Sequence, residues 1–290
     1  MNTKKLTRRE FSKISLATIG LLFSANPVVI SSFAQEEAAV KKIPVGLQLY
    51  SVRKLCEKDL NNTLAAVAKM GYKGVEFAGY YGRDAKTLKS MLDDLGLKCC
   101  GTHIGLDTLI GNKLNDTIEF NKILNNKYLI VPWLDEKYRN SKRAWQKTAD
   151  MFNEISEKLK PHGMRVGYHN HNIEFKPIEG ELPWDIFFGH TTKDVIMQFD
   201  TGNAADGGGD ATVFIKRYPG RAITVHIKPY SKSKPDALFG DDELPWKEIF
   251  NLCESVGGTE WYIVEYERES MPPLEAVQKC FEALRKMGKV

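Results

Sequence analysis

Four apolar, strand-like runs in the second half of the chain each end on a side chain that can bind a metal ion. The runs cover residues 166–174, 195–200, 222–226 and 261–265, and their last residues are Glu174, Asp200, His226 and Glu265. Those residues follow one another at intervals of 26, 26 and 39 residues, and one strand, one helix and their loops need roughly 30. Consecutive parallel strands bring their carboxyl ends to one rim. The spacing therefore predicts a divalent-metal site made of two Glu, one Asp and one His.

The same alternation of apolar runs and amphipathic stretches fills the first half of the chain. Its predicted strands cover residues 45–50, 74–77, 97–103 and 128–133, which makes eight strand–helix units in all. Runs of Val, Ile and Leu without strict alternation are typical of a parallel sheet covered by helices. We therefore predict an α/β fold, a single (β/α)8 barrel over residues 43–290. The alternative is a doubly wound open sheet, which would need a glycine-rich phosphate loop where residues 48–53 read QLYSVR.

The first 34 residues are predicted to be an export signal of the twin-arginine type. Arg8 and Arg9 precede an apolar stretch at 14–30, and the small-x-small sequence at 32–34 suits cleavage before Gln35. The alternatives are an uncleaved membrane anchor and a disordered basic tail. The apolar stretch is shorter than the roughly 20 residues that a spanning helix needs. We expect a periplasmic protein with no stable membrane insertion after cleavage, and a flexible linker at 35–42.

Removing the predicted signal also removes the excess of positive charge. The whole chain has 41 basic and 37 acidic residues; residues 1–34 hold five of the basic ones and one acid, which leaves 36 of each. A mature chain without net charge gives no indication of nucleic-acid binding. The five cysteines are odd in number and form no C-x-x-C pair, so they predict no disulfide framework.

Further polar residues at predicted strand ends are candidates for substrate binding, because the active site of a parallel barrel lies at that rim. The candidates are Gln48, His103, Trp133, His169 and His171. His169 and His171 are two residues apart and share a face of the strand, so both point inward or both outward. Either histidine is an alternative to Glu174 as the fifth-strand metal ligand; we assign the metal to Glu174 and the histidines to substrate.

Two of the candidates have an ordinary structural alternative. Lys228 follows the seventh strand and is assigned a catalytic role beside the metal, although it could instead form a salt bridge with Glu265 or Glu267. Trp133 could stack on a ring of the substrate or simply belong to the core.

Six segments together resemble the xylose isomerase-like TIM barrels, a group of sugar isomerases, epimerases and inosose dehydratases that also contains endonuclease IV. The segments are VGLQLYSVR at 45–53, GYKGVE at 71–76, YHNH at 168–171 followed by EF at 174–175, FDTGN at 199–203, VHIK at 225–228 and VE at 264–265. The resemblance implies that the family's Glu–Asp–His–Glu metal set falls on Glu174, Asp200, His226 and Glu265. The acid that often follows the seventh-strand lysine is replaced by Pro229.

The expected chemistry follows from such a metal site and from the resemblance. One ion of Mn, Co, Zn, Fe or Mg would act as a Lewis acid on a sugar carbonyl, while a carboxylate removes the adjacent proton to give an enediolate. Glu174, Glu265 and Lys228 are the predicted catalytic residues. Export favours an unphosphorylated sugar, and resemblance to exported relatives suggests a lyase acting on 3-keto-glycosides. The alternatives are a non-catalytic sugar-binding barrel and an endonuclease IV-like phosphodiesterase, which would need more histidines and a basic face.

Overall fold

The computed structural model describes residues 42–290, and within that range eight parallel strands close into one barrel in sequential order. The ring is completed by pairing of the first and last strands, with Val45 opposite Tyr262. The predicted (β/α)8 barrel is confirmed. The strands are β1 (Val45–Gln48), β2 (Gly74–Ala78), β3 (Lys98–His103), β4 (Tyr128–Val131), β5 (Arg165–His169), β6 (Ile196–Asp200), β7 (Thr224–Ile227) and β8 (Trp261–Val264).

Within the described part of the chain, ten α-helices surround the barrel or connect its strands. They are α1 (Arg53–Lys58), α2 (Leu60–Met70), α3 (Ala85–Asp94), α4 (Lys113–Ile123), α5 (Lys142–Leu159), α6 (Pro183–His190), α7 (Thr201–Gly207), α8 (Ala211–Arg217), α9 (Trp246–Leu252) and α10 (Pro273–Lys286). Across 42–290, none of them is long and apolar enough to span a bilayer. The predicted export signal and all of the predicted linker except Lys42 lie outside the described residues.

Helix α5 shows how the sequence produces this layer. Its N-cap Ser141 accepts a hydrogen bond from the amide of Ala144, which satisfies one of the free N–H groups of the first turn. Apolar residues at helical spacing then bury one face, including Trp145 and Phe152, and the left-handed Gly163 closes the turn that follows. The helix therefore packs on the barrel through its apolar face, and its charged face points outward.

The interior of the barrel has an apolar layer and a polar layer along its axis. A separate apolar cluster of strand residues contains Cys100, Tyr128, Ile130, Ile196, Ile223, Trp261 and Ile263. It packs so closely that a Cβ on Gly46 would lie 2.6 Å from the sulfur of Cys100. Nearer the carboxyl ends of the strands, polar side chains are buried instead: Gln48, Glu76, Gln198, Thr224 and His226. This polar layer lies directly beneath the candidate site.

Two local features differ from the sequence-based expectation. Strand β5 ends at His169 rather than at residue 174, because the polar residues after it leave the sheet and form a short 3-10 turn, Ile173–Phe175. A helix, α7, begins directly after β6 and ends at Gly208, whose positive φ of 89° suits glycine. All five cysteines are free thiols, and four of them are buried.

Candidate metal centre

Four buried side chains converge at the carboxyl-terminal rim of the barrel: His169, Asp200, His226 and Glu265. One donor atom from each lies within 4.8 Å of the donors of the others. They come from the ends of β5 and β6, from β7, and from the residue that follows β8. Mixed imidazole and carboxylate donors of this kind suit a first-row divalent ion. The structure thus brings together three of the four predicted metal ligands.

Asp200 gives the clearest indication that this cluster fits a cation. Its Oδ1 accepts a 2.7 Å hydrogen bond from the amide of Asn203 and so caps helix α7. Its Oδ2 is buried without any hydrogen-bond partner, 3.7 Å from Nδ1 of His226 and 3.9 Å from Nε2 of His169. A buried carboxylate oxygen without a partner is costly, and a cation among these donors would satisfy it. One aspartate thus serves both as a helix cap and as a candidate metal ligand.

His226 and Glu265 are in direct hydrogen-bond contact within the cluster. Nδ1 of His226 lies 2.5 Å from Oε2 of Glu265, and its Nε2 lies 2.7 Å from Oε2 of Glu76. Burial alone would lower the pKa of His226, but the charge of Glu76 and the hydrogen bonds to Glu265 and Glu76 raise it well above its usual value. Burial would raise the pKa of Glu265, but Lys228 and His226 hold it well below its usual value.

Glu174, the predicted fifth-strand ligand, is not part of the cluster, and His169 stands in its place. The carboxylate of Glu174 is fully buried and accepts hydrogen bonds from Oη of Tyr168 at 2.6 Å and from the amide of His171 at 2.8 Å. The 3-10 turn that follows β5 directs it away from the donors. We therefore correct the candidate fifth-strand ligand to His169, and Glu174 no longer qualifies as a catalytic group either.

Gln198 is a residue of this region that sequence reasoning missed, and Glu76 stood out only as a polar residue on a predicted strand, without an assigned role. Both are fully buried inside the barrel, and the amide nitrogen of Gln198 donates to Oε1 of Glu76 at 2.7 Å. Glu76 also contacts His226 and lies 3.2 Å from Nε2 of His103. The available signal was a charged residue within the otherwise apolar strand GVEFA of β2.

A cavity of about 500 Å³ opens above the cluster. Its wall contains six residues assigned to the site from sequence: His103, Trp133, His169, His171, Lys228 and Glu265. Gln48 is not one of them. It is fully buried below the cavity, where its side chain donates to Oε2 of Glu76 at 2.8 Å and accepts from the amide of Tyr50, so it supports the site and does not reach a substrate.

Lys228 lies between two carboxylates in the cavity wall. Its Nζ is 2.5 Å from Oε1 of Glu267 and 3.7 Å from Oε1 of Glu265. The salt bridges that the sequence offered as an alternative to a catalytic role are therefore both present. Burial, together with the neighbouring Glu265, raises the pKa of Glu267 to about 7. Two adjacent carboxylates thus have very different proton affinities.

Two aromatic side chains at the mouth of the cavity remain exposed. Trp133 is 46% exposed and Tyr50 is 42% exposed, so Trp133 is not a core residue. The ring of Trp133 meets His171 edge to face, at a centroid distance of 5.1 Å. Arg139 and Arg53 lie over the rings of Trp133 and Tyr50 respectively. Exposed flat rings beside a polar site are suited to contact with a ligand.

Comparison with known proteins gives one family and several similar enzymes, among them enzymes of sugar chemistry. The family model described as xylose isomerase-like TIM barrel matches residues 64–287. Inosose dehydratase from Serratia proteamaculans is 25% identical over 254 residues, which cover 73% of this chain and 84% of that protein. A sugar phosphate isomerase/epimerase structure from Parabacteroides distasonis has a TM-score of 0.74 and 26% identity, covering 86% of this chain and 99% of that chain.

A zinc-containing structure shares the same fold. It is that of the IolI protein with a binding zinc atom, with a TM-score of 0.66 and 14% identity, covering 84% of this chain and 97% of that chain. The matched region of 64–287 includes β2 to β8 and the whole donor cluster. The chain belongs to the xylose isomerase-like TIM barrel family.

Proposed function

We propose that this protein is a divalent-metal-dependent enzyme that acts beside the carbonyl group of an unphosphorylated sugar, and that its reaction is a β-elimination on a 3-keto-glycoside. The observation that carries this proposal is the partnerless Oδ2 of Asp200 among three other donors at the base of an open cavity. A divalent ion held by His169, Asp200, His226 and Glu265 would act as a Lewis acid on the carbonyl and an adjacent hydroxyl.

Glu265 is the assigned base. Among the residues that line the cavity in 42–290, the carboxylates are Glu265 and Glu267. Glu265 stays ionised because its pKa lies well below the usual range, and its Oε1 faces Lys228 rather than His226. Glu267, with a pKa of about 7, still holds a proton in part of the molecules at neutral pH. Neighbouring groups with separated pKa values can divide the work of base and acid.

The proposed elimination uses one proton transfer at each carboxylate. Glu265 takes the proton from C2, next to the carbonyl at C3. The electron pair of that C–H bond forms a C1–C2 double bond as the bond from C1 to the aglycone oxygen breaks. Glu267 gives its proton to that oxygen, so the products are an unsaturated keto-sugar and a neutral alcohol. Lys228 places one positive charge between the two carboxyl groups and is close enough to orient them.

The cavity wall favours a substrate that carries no phosphate but has a second ring. Lys228 is the one Lys or Arg among the lining residues of the described chain, and it is already paired with Glu267. Trp133 and Tyr50 lie at the mouth, beyond the donor cluster, where they would contact an aglycone rather than the reacting sugar. The relative from Serratia is named for a dehydratase of an inosose, a cyclic ketone, and loss of a group β to a carbonyl is the same class of reaction.

We also propose that residues 1–34 direct export to the periplasm through the twin-arginine route, which would expose the enzyme to unphosphorylated substrates. The test is to fuse residues 1–34 to a reporter that is active only after export. Replacing Arg8 and Arg9 by lysine should abolish export, and unchanged export would contradict the proposed route.

The reaction is tested with protein loaded with Mn²⁺, Co²⁺ or Zn²⁺ and a panel of 3-keto-glucosides in D₂O. We expect release of the aglycone, with the proton of C2 lost, and no release by Glu265→Gln. Glu267→Gln should affect an alkyl aglycone far more than p-nitrophenol, because a good leaving group needs no acid. Glu269→Gln, on the exposed surface, is the control. Unchanged keto-glucosides alongside interconversion of free ketoses would refute elimination.

A further inference from the structure

The hydrogen bonds beneath the donor cluster form a network whose directions can be assigned. Its centre is Glu76, which is fully buried in the barrel. Oε2 of Glu76 lies 2.8 Å from Nε2 of Gln48 and 2.7 Å from Nε2 of His226, and its Oε1 lies 2.7 Å from Nε2 of Gln198. A carboxylate in contact with this many donors acts only as an acceptor.

The acceptor character of Glu76 fixes the orientation of the Gln198 amide. The NH₂ group of Gln198 must face Glu76, with the hydroxyl of Thr224 as a second partner at 3.0 Å. Its carbonyl oxygen then faces the other way, 2.7 Å from Nε2 of His103 and 3.0 Å from Nδ1 of His169. The reversed amide would place two oxygens of Glu76 and Gln198 against each other, which the network does not allow.

The orientation of Gln198 in turn determines which nitrogen of His169 carries hydrogen. A carbonyl oxygen only accepts, so Nδ1 of His169 must donate to it. A neutral imidazole has a single N–H group, which leaves Nε2 of His169 with a free lone pair. That nitrogen is the one that lies 3.9 Å from the partnerless Oδ2 of Asp200.

His226 has the opposite arrangement. Its Nε2 donates to Glu76, and its Nδ1 faces Oε2 of Glu265 at 2.5 Å and Oδ2 of Asp200 at 3.7 Å. The two histidines therefore present different ring nitrogens to the donor cluster: Nε2 of His169 and Nδ1 of His226. The other nitrogen of each ring donates to a separate buried acceptor.

We propose that Glu76 and Gln198 are positioning residues that set the tautomers of the two histidine ligands, so that His169 binds the metal through Nε2 and His226 through Nδ1. The inference rests on the proposed metal site and adds the identity of the ligating atoms. Outer hydrogen bonds to metal-bound histidines are commonly worth about 10- to 100-fold in metal affinity. We expect a loss of that size when either acceptor is removed.

The first measurement needs no variant. Nitrogen-15 NMR of the Zn²⁺-loaded protein, labelled at histidine, distinguishes a protonated from a metal-bound ring nitrogen. We expect His169 to be protonated at Nδ1 and metal-bound at Nε2, and His226 to be protonated at Nε2 and metal-bound at Nδ1. Coordination through the opposite nitrogen of either ring would overturn the proposal.

The second measurement is Zn²⁺ affinity in competition with a chelator. Gln198→Met and Glu76→Gln should weaken binding by about 10- to 100-fold. Thr224→Val is the matched control: Thr224 is equally buried and bonds to the same amide, but Glu76 still orients that amide without it. We expect it to change affinity by less than about threefold. Equal affinities of Gln198→Met and Thr224→Val would overturn the role of Gln198.

The outcomes also separate this inference from the metal site itself. Wild-type protein that binds Zn²⁺ with unchanged affinity in both acceptor variants refutes the positioning role and leaves the metal site intact. Wild-type protein that binds no Zn²⁺, Mn²⁺ or Co²⁺ refutes both. Neither measurement depends on turnover, so neither depends on the proposed substrate.

Discussion

Glu174 accepts a buried hydrogen bond from Oη of Tyr168, 2.6 Å long, and is thereby kept out of the donor cluster. Its second oxygen accepts the amide of His171, which lies in the cavity wall. The carboxylate that the sequence assigned to the metal thus holds the end of β5 in place. We therefore expect any effect of Glu174 on a bound ion to be indirect, through the loop that carries His171.

The first prediction contrasts Glu174 with Asp200. Glu174→Gln should lower the free energy of unfolding by about 1–3 kcal/mol, because the new NH₂ group would face either the amide of His171 or the hydroxyl of Tyr168. Its Zn²⁺ affinity should change by less than about threefold. Asp200→Asn should bind Zn²⁺ poorly, while the metal-free form stays folded, because the amide oxygen can still cap α7. Denaturant unfolding and zinc titration measure both; loss of zinc binding in Glu174→Gln alone would reinstate Glu174 as a ligand.

The second prediction concerns removal of the metal. Binding of an ion to the folded state alone stabilises it by about 2.7 kcal/mol when the free ion is at 100 times Kd. For a domain of this size, that corresponds to a rise in Tm of roughly 5–10 °C. Calorimetry before and after addition of a chelator measures the shift. Asp200→Asn should show no comparable difference, and an equal shift in that variant would place the stabilising ion elsewhere.

The third prediction concerns the exposed ring of Trp133. Trp133→Ala should raise KM for keto-glycosides with a ring-containing aglycone by about 2- to 12-fold, which corresponds to the roughly 0.5–1.5 kcal/mol of an aromatic contact. Substrates with a methyl aglycone should be nearly unaffected, and so should Tm, because the side chain is 46% exposed. Val213→Ala, at a similarly exposed residue on α8, is the control. Equal losses with both aglycones would indicate a role at the reacting sugar instead.

The fourth prediction concerns pH and the loop after β7. Glu243 accepts hydrogen bonds from the hydroxyls of Ser231 and Ser233 and from the amides of Lys232 and Ser233, and these lower its pKa to about 2. A carboxyl with a lowered folded pKa stabilises the fold above its unfolded value of about 4.5, and this contribution is lost as pH falls toward 2. Carboxyl-carbon NMR should report a pKa of about 2.

Replacement of Glu243 provides the matching test. Glu243→Gln should increase proteolytic cleavage within residues 229–245 at pH 7, while a protease active at acidic pH should distinguish the two proteins less and less as pH approaches 2. A difference between them that does not depend on pH would show that the charge of Glu243 does not hold the loop.

The repeating strand–helix pattern was sufficient to predict the barrel, because the apolar residues of each segment have the spacing expected for a buried strand or an amphipathic helix. Helix α5 illustrates this: a serine cap precedes its first turn, and a Pro-x-Gly sequence follows its last turn. The same reasoning predicted that Asp200, His226 and Glu265 lie together at the rim. They are at or near strand ends, where the spacing along the chain determines the position on the rim.

The predicted end of the fifth strand was wrong, because its apolar run continues into polar residues without a residue that marks a turn. Whether β5 ends at His169 or at residue 174 depends on Asn170, whose side chain bonds to both the amide and the carbonyl of Asp200 on the next strand. The role of Glu76 was not predicted for a related reason: its partners are contributed by β1, β3, β6 and β7. Contacts between distant segments have no local signature in the chain.

Pairing of β1 with β8 has a consequence for how the protein is made. The first strand hydrogen-bonds to the last one, so the ring cannot close until synthesis of the chain is almost finished. Long-range parallel pairing of this kind folds slowly. The four donors lie on the half of the ring that is synthesised last, so an ion would find a complete set of partners only as the molecule reaches its final form. An ion held by these donors would therefore be acquired at the end of folding, in whichever compartment the ring closes.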